Sequence, residues 1–517
     1  MALLAAWRTC LAADPADACG RLRGVQLKHG NIEVAQSVAA GDMPLRAAPE
    51  KKLATPAHCR IAGILRPGPH SEVAFEVWLP QQGWNGRHEA SGNGGFAGRL
   101  NLDGLAGAIA RGSVGSTTDT GHVDEGRPNS EPMRWAYDDD RVADYGHRAI
   151  HATAVAAKAL IRAYYGRPER KAYFASCSNG GRQALMEAQR YPADFEGIIA
   201  GAPAYAFTRL LTGAALSQQR LELQPAARLQ AAQIGLVRRA TLAACDARDG
   251  IADGVVNDPR QCAFDPASLA CTSSTSTGDC LVPAQVQTLQ LLYGRADPST
   301  PHFEPGTETD TWMDWISGRV EEPAWQVYFA LRVYRDMLHR NPQWTLRDFD
   351  AARDPALLSQ RLGPVLDAAD ADLAAFAARG GKLILYHGWA DAAIPAGESI
   401  RYFEALGRKM GAARRDDFTR LYLVPGMTHC AGGDGYVDFG QFEHAPAAGG
   451  IRASLTDWVE QHRAPQAVLA HRADGTGSWP LCAHPLLARW NGQGSSDEPG
   501  SFQCVAPAAA QDTTDAQ

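Results

Sequence analysis

The sequence predicts an α/β fold with a mostly parallel sheet, because apolar strands alternate with helical patterns along the chain. In three segments a short apolar run leads into a turn of small residues: "KAYFASCSNGGRQALMEAQRY", "FEGIIAGAP" and "GGKLILYHGWADAAIP". In the first segment Ala184, Leu185 and Ala188 share one helix face. The continuous apolar run Leu383–Tyr386 is typical of a parallel strand that is covered on both faces. A fourth strand is predicted at "RLYLVPG".

This pattern is interrupted between residues 206 and 374. Helical Leu/Ala/Gln stretches come first, then an Asp/Gly-rich loop, then a Trp-rich segment. We interpret the segment as a lid domain inserted between core strands, because large insertions over a sheet commonly form lids and substrate pockets. The core is then formed by 19–205 and 375–505. Residues 1–18 are predicted to be a leader or a disordered N-terminus, and 506–517 a disordered tail.

Composition and charge exclude two classes of partner. The 517 residues are 45% hydrophobic and 21% charged, with a net charge of −7, as in ordinary soluble globular proteins. No dense Lys/Arg cluster occurs, which argues against nucleic acid. No apolar run is long enough to span a membrane.

The eleven cysteines indicate an oxidising compartment. No CxxC spacing occurs, which argues against a zinc ribbon or a thioredoxin-like site. Several cysteines lie in near pairs within loop-like surroundings, a pattern that predicts disulfides and a secreted or periplasmic protein. The alternative is a set of buried free thiols. The N-terminus, with no clear basic region, is a poor signal peptide.

The turn "SCSNG" at residues 176–180 resembles the nucleophile elbow of α/β-hydrolases, G-x-S-x-G. Ser176 replaces the first glycine of that motif, and Gly181 adds a small residue where the helix packs on the strand. Ser178 is therefore the candidate nucleophile. The alternative is a structural serine, which is common in glycine-rich turns.

Two later residues complete a candidate triad. In α/β-hydrolases the chain order is Ser, then Asp or Glu, then His. Asp391 follows the strand "LILY", and His429 follows the strand "LYLV". His429 would accept the proton of Ser178, and Asp391 would orient and stabilise the imidazolium. A lone loop histidine normally has a surface or hydrogen-bonding role, but here both position and order match.

Cysteines flank two of these residues. Cys177 precedes Ser178, and Cys430 follows His429. If serine and histidine lie within hydrogen-bonding reach, a Cys177–Cys430 disulfide is geometrically possible and would hold the two loops in register. The rival interpretation, with Cys177 as the nucleophile, is weaker because Ser178 has the better elbow position.

Acyl transfer also needs hydrogen-bond donors for the oxyanion. The backbone N–H after the nucleophile, that of Asn179, is one candidate. The loop "EASGNGGFAG" supplies Gly94 or Gly95 as the second. This loop is not G-x-G-x-x-G and opens no βαβ unit, which argues against nucleotide binding.

These motifs, together with "YPADFEGIIAGAPA", "DLAAFAARGGKLILYHGWADAAIP" and "LVPGMTHCAGG", resemble the tannase/feruloyl esterase family, which includes mono(2-hydroxyethyl) terephthalate hydrolases. The resemblance covers about Cys19 to Cys504. It implies the triad Ser178, Asp391 and His429, and the active-site bond Cys177–Cys430. It also implies four further disulfides, with Cys10 left over: Cys19–Cys59, Cys245–Cys262, Cys271–Cys280 and Cys482–Cys504.

The same resemblance implies a structural calcium ion in "CDARDGIADGVVNDPRQC". Carboxylates in a glycine-containing loop suit a hard cation, although Arg248 and the missing final Glu show that this is no EF-hand. The alternative is a solvated acidic turn. No organic cofactor is implied. The matching ligands are the side chains of Asp246, Asp249 and Asp253 and the backbone carbonyls of Ile251 and Val255.

The resemblance implies a small ester of an aromatic carboxylic acid as substrate. Trp315, Tyr328 and Phe329 are candidates for the substrate wall, although each could equally be lid core. The lid arginine of the terephthalate-monoester enzymes has no clear counterpart, with Arg319 and Arg332 as substitutes, so a feruloyl- or gallate-type ester is favoured. The alternatives are a terephthalate-monoester hydrolase, a peptidase or acyltransferase with the same triad, and a calcium-dependent binding protein with a dead site.

Overall fold

The structure is a computed structural model. It describes residues 15–46, 49–123, 131–272, 278–295, 297, 299–319, 322–442, 445 and 449–507. Cys10, most of the predicted leader and the tail from 508 onward lie outside these residues.

The described chain contains strands and helices in alternation. The strands are β1 (Gly30–Val38), β2 (Gly41–Pro44), β3 (Lys52–Thr55), β4 (His58–Leu65), β5 (Val73–Pro80), β6 (Arg87–Ala90), β7 (Val114–Thr118), β8 (Lys171–Cys177), β9 (Gly197–Gly201), β10 (Lys382–Gly388), β11 (Thr419–Val424), β12 (Ala467–His471), β13 (Ser478–Cys482), β14 (Leu487–Trp490) and β15 (Phe502–Val505). The α-helices are α1 (Pro15–Arg21), α2 (Leu102–Ala110), α3 (Asp139–Ala143), α4 (Ala149–Tyr165), α5 (Asn179–Arg190), α6 (Phe207–Leu223), α7 (Ala231–Cys245), α8 (Pro283–Leu292), α9 (Trp325–Arg332), α10 (Asp354–Leu366), α11 (Ala374–Ala378), α12 (Gly397–Met410), α13 (Ala412–Phe418) and α14 (Gly450–Gln461).

A nine-stranded sheet organises the core, in the order β1-β4-β5-β7-β6-β8-β9-β10-β11. The strands from β7 to β11 in this order run parallel, whereas β1, β4, β5 and β7 pair antiparallel. The α/β fold predicted from the sequence is confirmed, and β8, β9, β10 and β11 are the four predicted strands. The antiparallel strands β1, β4 and β5 extend the predicted parallel sheet at one edge.

Helices cover both faces of the parallel part of the sheet, which explains its apolar strands. On one face α4, α5 and α12 pack through residues such as Ile150, Leu185 and Phe403. On the other face α14 and the short hairpins near the C-terminus pack through residues such as Trp458 and Trp479. The carboxyl ends of β8, β10 and β11 therefore meet at one edge, where ligands bind in open α/β sheets.

Residues 206–374 contain helices α6 to α10 and, among the described residues, no strand of the central sheet. They leave the sheet after β9 and return to it at β10. Two apolar clusters fill this segment, and one of them includes Phe96 and Tyr145 of the core. The division into core and lid, with its residue boundaries, stays a prediction.

All five disulfides that the resemblance implies are present, including Cys177–Cys430, whose Cα atoms lie 5.9 Å apart. Helix α1 already begins at Pro15, and Cys19 joins it to β4. Residues 15–18 of the predicted leader are therefore part of a helix. No helix of the described chain is both long and apolar enough to cross a bilayer.

Candidate active site

The turn between β8 and α5 presents Ser178 in a strained conformation. Its φ of 66° and ψ of −125° lie in a region that side-chain-bearing residues rarely adopt. The glycines that follow make this turn possible. A Cβ at Gly180 would clash with Ser176 Oγ, and one at Gly181 would clash with the Gly201 carbonyl. Ser176 is thus accommodated because position 180 has no side chain.

The three predicted triad residues form one hydrogen-bonded chain. His429 Nε2 lies 2.9 Å from Ser178 Oγ, and His429 Nδ1 lies 2.7 Å from Asp391 Oδ2. The other Asp391 oxygen accepts the backbone N–H groups of Ala393 and Ile394 at 2.8 and 2.9 Å. With Nδ1 donating to Asp391, Nε2 is the acceptor for the serine hydroxyl. The arrangement suits a serine activated by a general base.

Asp391 is fully buried but remains a carboxylate. Burial raises its pKa, and this is outweighed by the charge of His429 and by hydrogen bonds from His387 and His429, which together hold the pKa of Asp391 well below its usual range. A buried anion at this position can stabilise an imidazolium without taking its proton.

His387 is a fourth member of this network that sequence reasoning missed. It is wholly buried in β10, and its Nε2 lies 3.2 Å from Asp391 Oδ2 and 2.9 Å from the Ile394 carbonyl oxygen. Its Nδ1 lies 2.8 Å from Ser399 Oγ. Since both neighbours of Nε2 are acceptors, Nε2 carries the proton and Nδ1 accepts from Ser399. The available signal was a histidine inside an otherwise apolar strand.

The Cys177–Cys430 bond joins the residues that directly adjoin Ser178 and His429. Cys430 also has a positive φ of 66°, so both loops adopt sparsely populated backbone conformations at this point. The bond connects the end of β8 with the loop after β11, two segments that are 253 residues apart in sequence. It therefore ties the nucleophile to the base covalently.

The glycine-rich loop is fixed to the elbow by Asn93, another residue that sequence reasoning missed. The Asn93 carbonyl accepts from Asn179 Nδ2 at 3.0 Å, and its N–H donates to Gln183 Oε1 at 2.9 Å. The Asn93 side chain donates to the carbonyl of Arg99 in the loop at 2.7 Å and to that of Thr118 at the end of β7 at 2.8 Å. The N–H of Asn179 belongs to the first residue of α5 and has no intrahelical acceptor. The two predicted sources of oxyanion donors are thus held together.

Ser178 and His429 open into a cavity of about 950 Å³, counted with its solvent-filled mouth. One wall is a face of α6 that extends over residues 207–217, and the others come from α8, α9 and the loop after Asp391. Trp315 meets His429 edge to face with ring centroids 5.2 Å apart. Gly95, Asn179, Trp315 and Phe329 are predicted site residues that line this cavity.

The remaining candidates lie elsewhere. Tyr328 faces a neighbouring cavity, where Arg332 lies 4.5 Å from the centre of its ring. Arg319 is exposed and pairs with Asp314 at the lid surface. Gly94 is not among the residues that line the catalytic cavity, whereas Gly95 is. Neither arginine reaches the catalytic cavity.

The predicted calcium loop contains mutually repelling carboxylates. Burial, followed by the charges of Asp253 and Asp246, raises the pKa of Asp249 to about 6. Asp249 and Asp253 each use one oxygen to accept a backbone N–H, which leaves the second oxygen outside these bonds. Their donor set therefore fits a hard cation. The carboxylate oxygens of Asp246, Asp249 and Asp253 do not all lie within 4.8 Å of one another. Among the described residues, three ligand atoms that do lie this close to one another occur at His70, Asp138 and Asp140.

Comparison with known proteins places this geometry in a family. A sequence model described as "Tannase and feruloyl esterase" matches residues 59–505. An uncharacterized esterase of Xanthomonas campestris pv. campestris is 36% identical, with 95% of this chain and 92% of the relative covered. The mono(2-hydroxyethyl) terephthalate hydrolase of Piscinibacter sakaiensis is 31% identical, with 93% and 91% covered.

Solved structures give the same result. The crystal structure of feruloyl esterase B from Aspergillus oryzae has a TM-score of 0.85 and 26% identity, with 95% of this chain and all of that chain covered. The tannin acyl hydrolase from Aspergillus niger, at 22% identity and a TM-score of 0.72, shares the fold, with 93% of this chain and 92% of that chain covered.

Fold, site and relatives together define a carboxylic ester hydrolase built on the α/β-hydrolase fold. The chain belongs to the tannase and feruloyl esterase family. This result overturns the alternative of a binding protein with a dead site.

Proposed function

We propose that the protein is a secreted serine esterase that hydrolyses esters of aromatic carboxylic acids of the feruloyl or gallate type. The observation that carries the proposal is the unbroken chain Ser178–His429–Asp391, at 2.9 and 2.7 Å, which opens into an apolar cavity. An apolar cavity with a few placed polar groups suits a small aromatic ligand.

The mechanism has two steps. Ser178 Oγ attacks the ester carbonyl as its proton moves to His429 Nε2, and Asp391 stabilises the resulting imidazolium. The backbone N–H groups of Asn179 and Gly95 stabilise the oxyanion. His429 then protonates the leaving alcohol, and a water that it deprotonates hydrolyses the acyl-enzyme.

The lack of cationic side chains among the described residues of the cavity favours feruloyl- or gallate-type esters over a terephthalate monoester. No Lys or Arg side chain is among the described residues that line it. A substrate with a second, ionised carboxylate would lose its hydration there without gaining an ion pair. The uncharged feruloyl and gallate rings carry no such penalty.

The experiment compares release of free acid from methyl ferulate, methyl gallate and mono(2-hydroxyethyl) terephthalate. Parent protein, Ser178→Ala and the matched control Ser268→Ala, which alters an exposed lid serine, are assayed together. We expect parent and control to hydrolyse the neutral esters and Ser178→Ala to lose at least a thousandfold in kcat. Equal rates in all three proteins would remove Ser178 from its role.

A structural calcium ion at Asp246, Asp249 and Asp253, with the carbonyls of Ile251 and Val255, is the second part of the proposal. The repulsion among these carboxylates supports it, and the Cys245–Cys262 bond closes the loop around them. Calcium would neutralise the loop and hold it folded. Removal of calcium with EGTA should lower Tm, and readdition should restore it, in the parent but not in Asp249→Asn.

Export from the cytoplasm is the third part. Five disulfides support it, because such bonds persist in oxidising compartments. Fractionation of the producing cells, with detection of the protein in periplasm or medium, tests it.

A further inference from the structure

One amide group interrupts the apolar wall of the catalytic cavity. Gln326 on α9 lines the cavity together with aliphatic and aromatic side chains. Apart from the triad and Gly95, the other residues of this lining whose side chains carry a polar group are Asn179, Ser217, Thr300 and Trp315. Buried polar groups in such a wall normally fix the orientation of a ligand.

The oxygen of this amide is held by side chains of α6. Gln326 Oε1 accepts from Gln218 Nε2 at 3.0 Å. Ser217 Oγ lies 3.1 Å from the same oxygen and 3.0 Å from the Ala214 carbonyl oxygen, so its single hydrogen is shared between two acceptors. Gln218 is itself held by the Ile316 carbonyl at 2.8 Å. With its oxygen fixed in this way, the amide can present only its NH2 group to the remaining space. No acceptor for Gln326 Nε2 is found among the described residues.

Gln326 is placed to contact the end of a substrate's acyl group that is remote from the ester carbonyl. Phe329, one helical turn further along α9, lies beside Gly95 of the oxyanion loop: a Cβ placed on Gly95 would meet the Phe329 ring first, at 3.8 Å. One turn corresponds to about 5 Å along the helix axis. An aromatic acyl group with its carbonyl at Gly95 would pass Phe329 and bring its ring substituent toward Gln326.

We propose that Gln326 determines acyl specificity by donating a hydrogen bond to an uncharged oxygen on the aromatic ring of the substrate, such as the phenolic hydroxyl of a hydroxycinnamate. This inference rests on the proposed esterase function and narrows it to acyl groups that carry such an acceptor. A ring without it would leave the amide NH2 buried and unpaired, which disfavours that substrate.

A purely structural role, in which Gln326 only joins α6 to α9, predicts a different result. Its loss would then affect every ester equally. The test therefore measures a ratio, kcat/KM for methyl 4-hydroxycinnamate over kcat/KM for methyl cinnamate. The two esters have the same leaving group and differ by one hydroxyl, so general loss of stability or activity cancels.

The variant is Gln326→Met, which keeps the length of the side chain and removes its N–H donors. The matched control is Gln219→Met, because Gln219 is another lid glutamine, on α6, but it donates to the Leu346 and Phe349 carbonyls, outside the cavity. We expect a ratio of about ten in the parent and the control, the worth of one hydrogen bond, and about one in Gln326→Met.

A parent ratio near one, or an equal ratio in parent and Gln326→Met, overturns the inference. Hydrolysis of methyl cinnamate by all three proteins would still support the esterase function in that case. Failure of the parent on both esters counts against the proposed function itself, so the two failures are distinguishable.

Discussion

The Cys177–Cys430 disulfide joins the turn of the nucleophile to the loop of the base. Its contribution to the unfolding free energy can be calculated from the length of the loop that it closes. In the chain-entropy treatment, the stabilisation by a disulfide grows with the logarithm of the loop that it closes. The Cys177–Cys430 bond closes 253 residues, and the Cys271–Cys280 bond in the lid closes 9. The corresponding stabilisations are about 5.5 and 2.6 kcal/mol, a difference of about 3 kcal/mol.

The double variant Cys177→Ala/Cys430→Ala should therefore lose more unfolding free energy than Cys271→Ala/Cys280→Ala. It should also lose at least about tenfold in kcat on methyl ferulate, because displacement of a catalytic group by about 1 Å can cost a hundredfold. The lid variant should keep the kcat of the parent, since neither of its cysteines lines the catalytic cavity.

Urea unfolding and steady-state kinetics on the parent and both double variants measure these effects. The reasoning is refuted if removal of Cys177–Cys430 leaves kcat at the parent value and lowers stability no more than removal of the lid bond. A loss of stability with unchanged kcat would show that hydrogen bonds alone hold Ser178 and His429 in register.

Three other predictions concern single side chains. His387→Leu removes a hydrogen-bond donor to Asp391 and should lower kcat about fivefold to tenfold with little change in KM. His387→Gln should recover part of this loss. An unchanged kcat in His387→Leu would show that His387 does not position Asp391. Asn93→Ala removes the side-chain donor to the Arg99 and Thr118 carbonyls. It should lower the unfolding free energy by about 2 kcal/mol and also lower kcat, as measured by urea unfolding and kinetics. Loss of stability with unchanged kcat would show that the loop takes no part in oxyanion binding. The pKa of Asp249 is raised in the folded state. In EGTA, the folded state therefore binds more protons than the unfolded state between about pH 4 and 6, and the stability falls as pH rises through this window. Measurements of Tm against pH should show this decline in the parent and a smaller decline in Asp249→Asn; equal profiles in the two proteins would show that Asp249 is not the source of the decline.

Much of the site could be predicted because its residues belong to local motifs. The elbow around Ser178 needs small neighbours, and those glycines are adjacent in sequence. Asp391 and His429 follow apolar strands, and parallel strands bring their carboxyl ends to one edge of a sheet. The cysteines beside Ser178 and His429 became informative once these two residues were paired.

The contacts that hold the oxyanion loop and the substrate wall could not be predicted, since they join residues remote in sequence. Asn93 and Gln183 are 90 residues apart and meet only because β6 and β8 are neighbours in the sheet. Nothing in the sequence distinguishes Tyr328 from Phe329, yet adjacent helix positions point about 100° apart. Phe329 therefore lines the catalytic cavity, while Tyr328 lines a different one.

Hydrophobic periodicity and turn residues act over short distances, so they predict the strand–turn–helix elements and the order of the triad. The family is indicated by the resemblance of the motifs. The tertiary structure adds that Asn93 holds the oxyanion loop and that no Lys or Arg is among the described residues that line the substrate cavity. These features depend on which surfaces of the lid and the sheet meet, and packing of distant segments sets that choice.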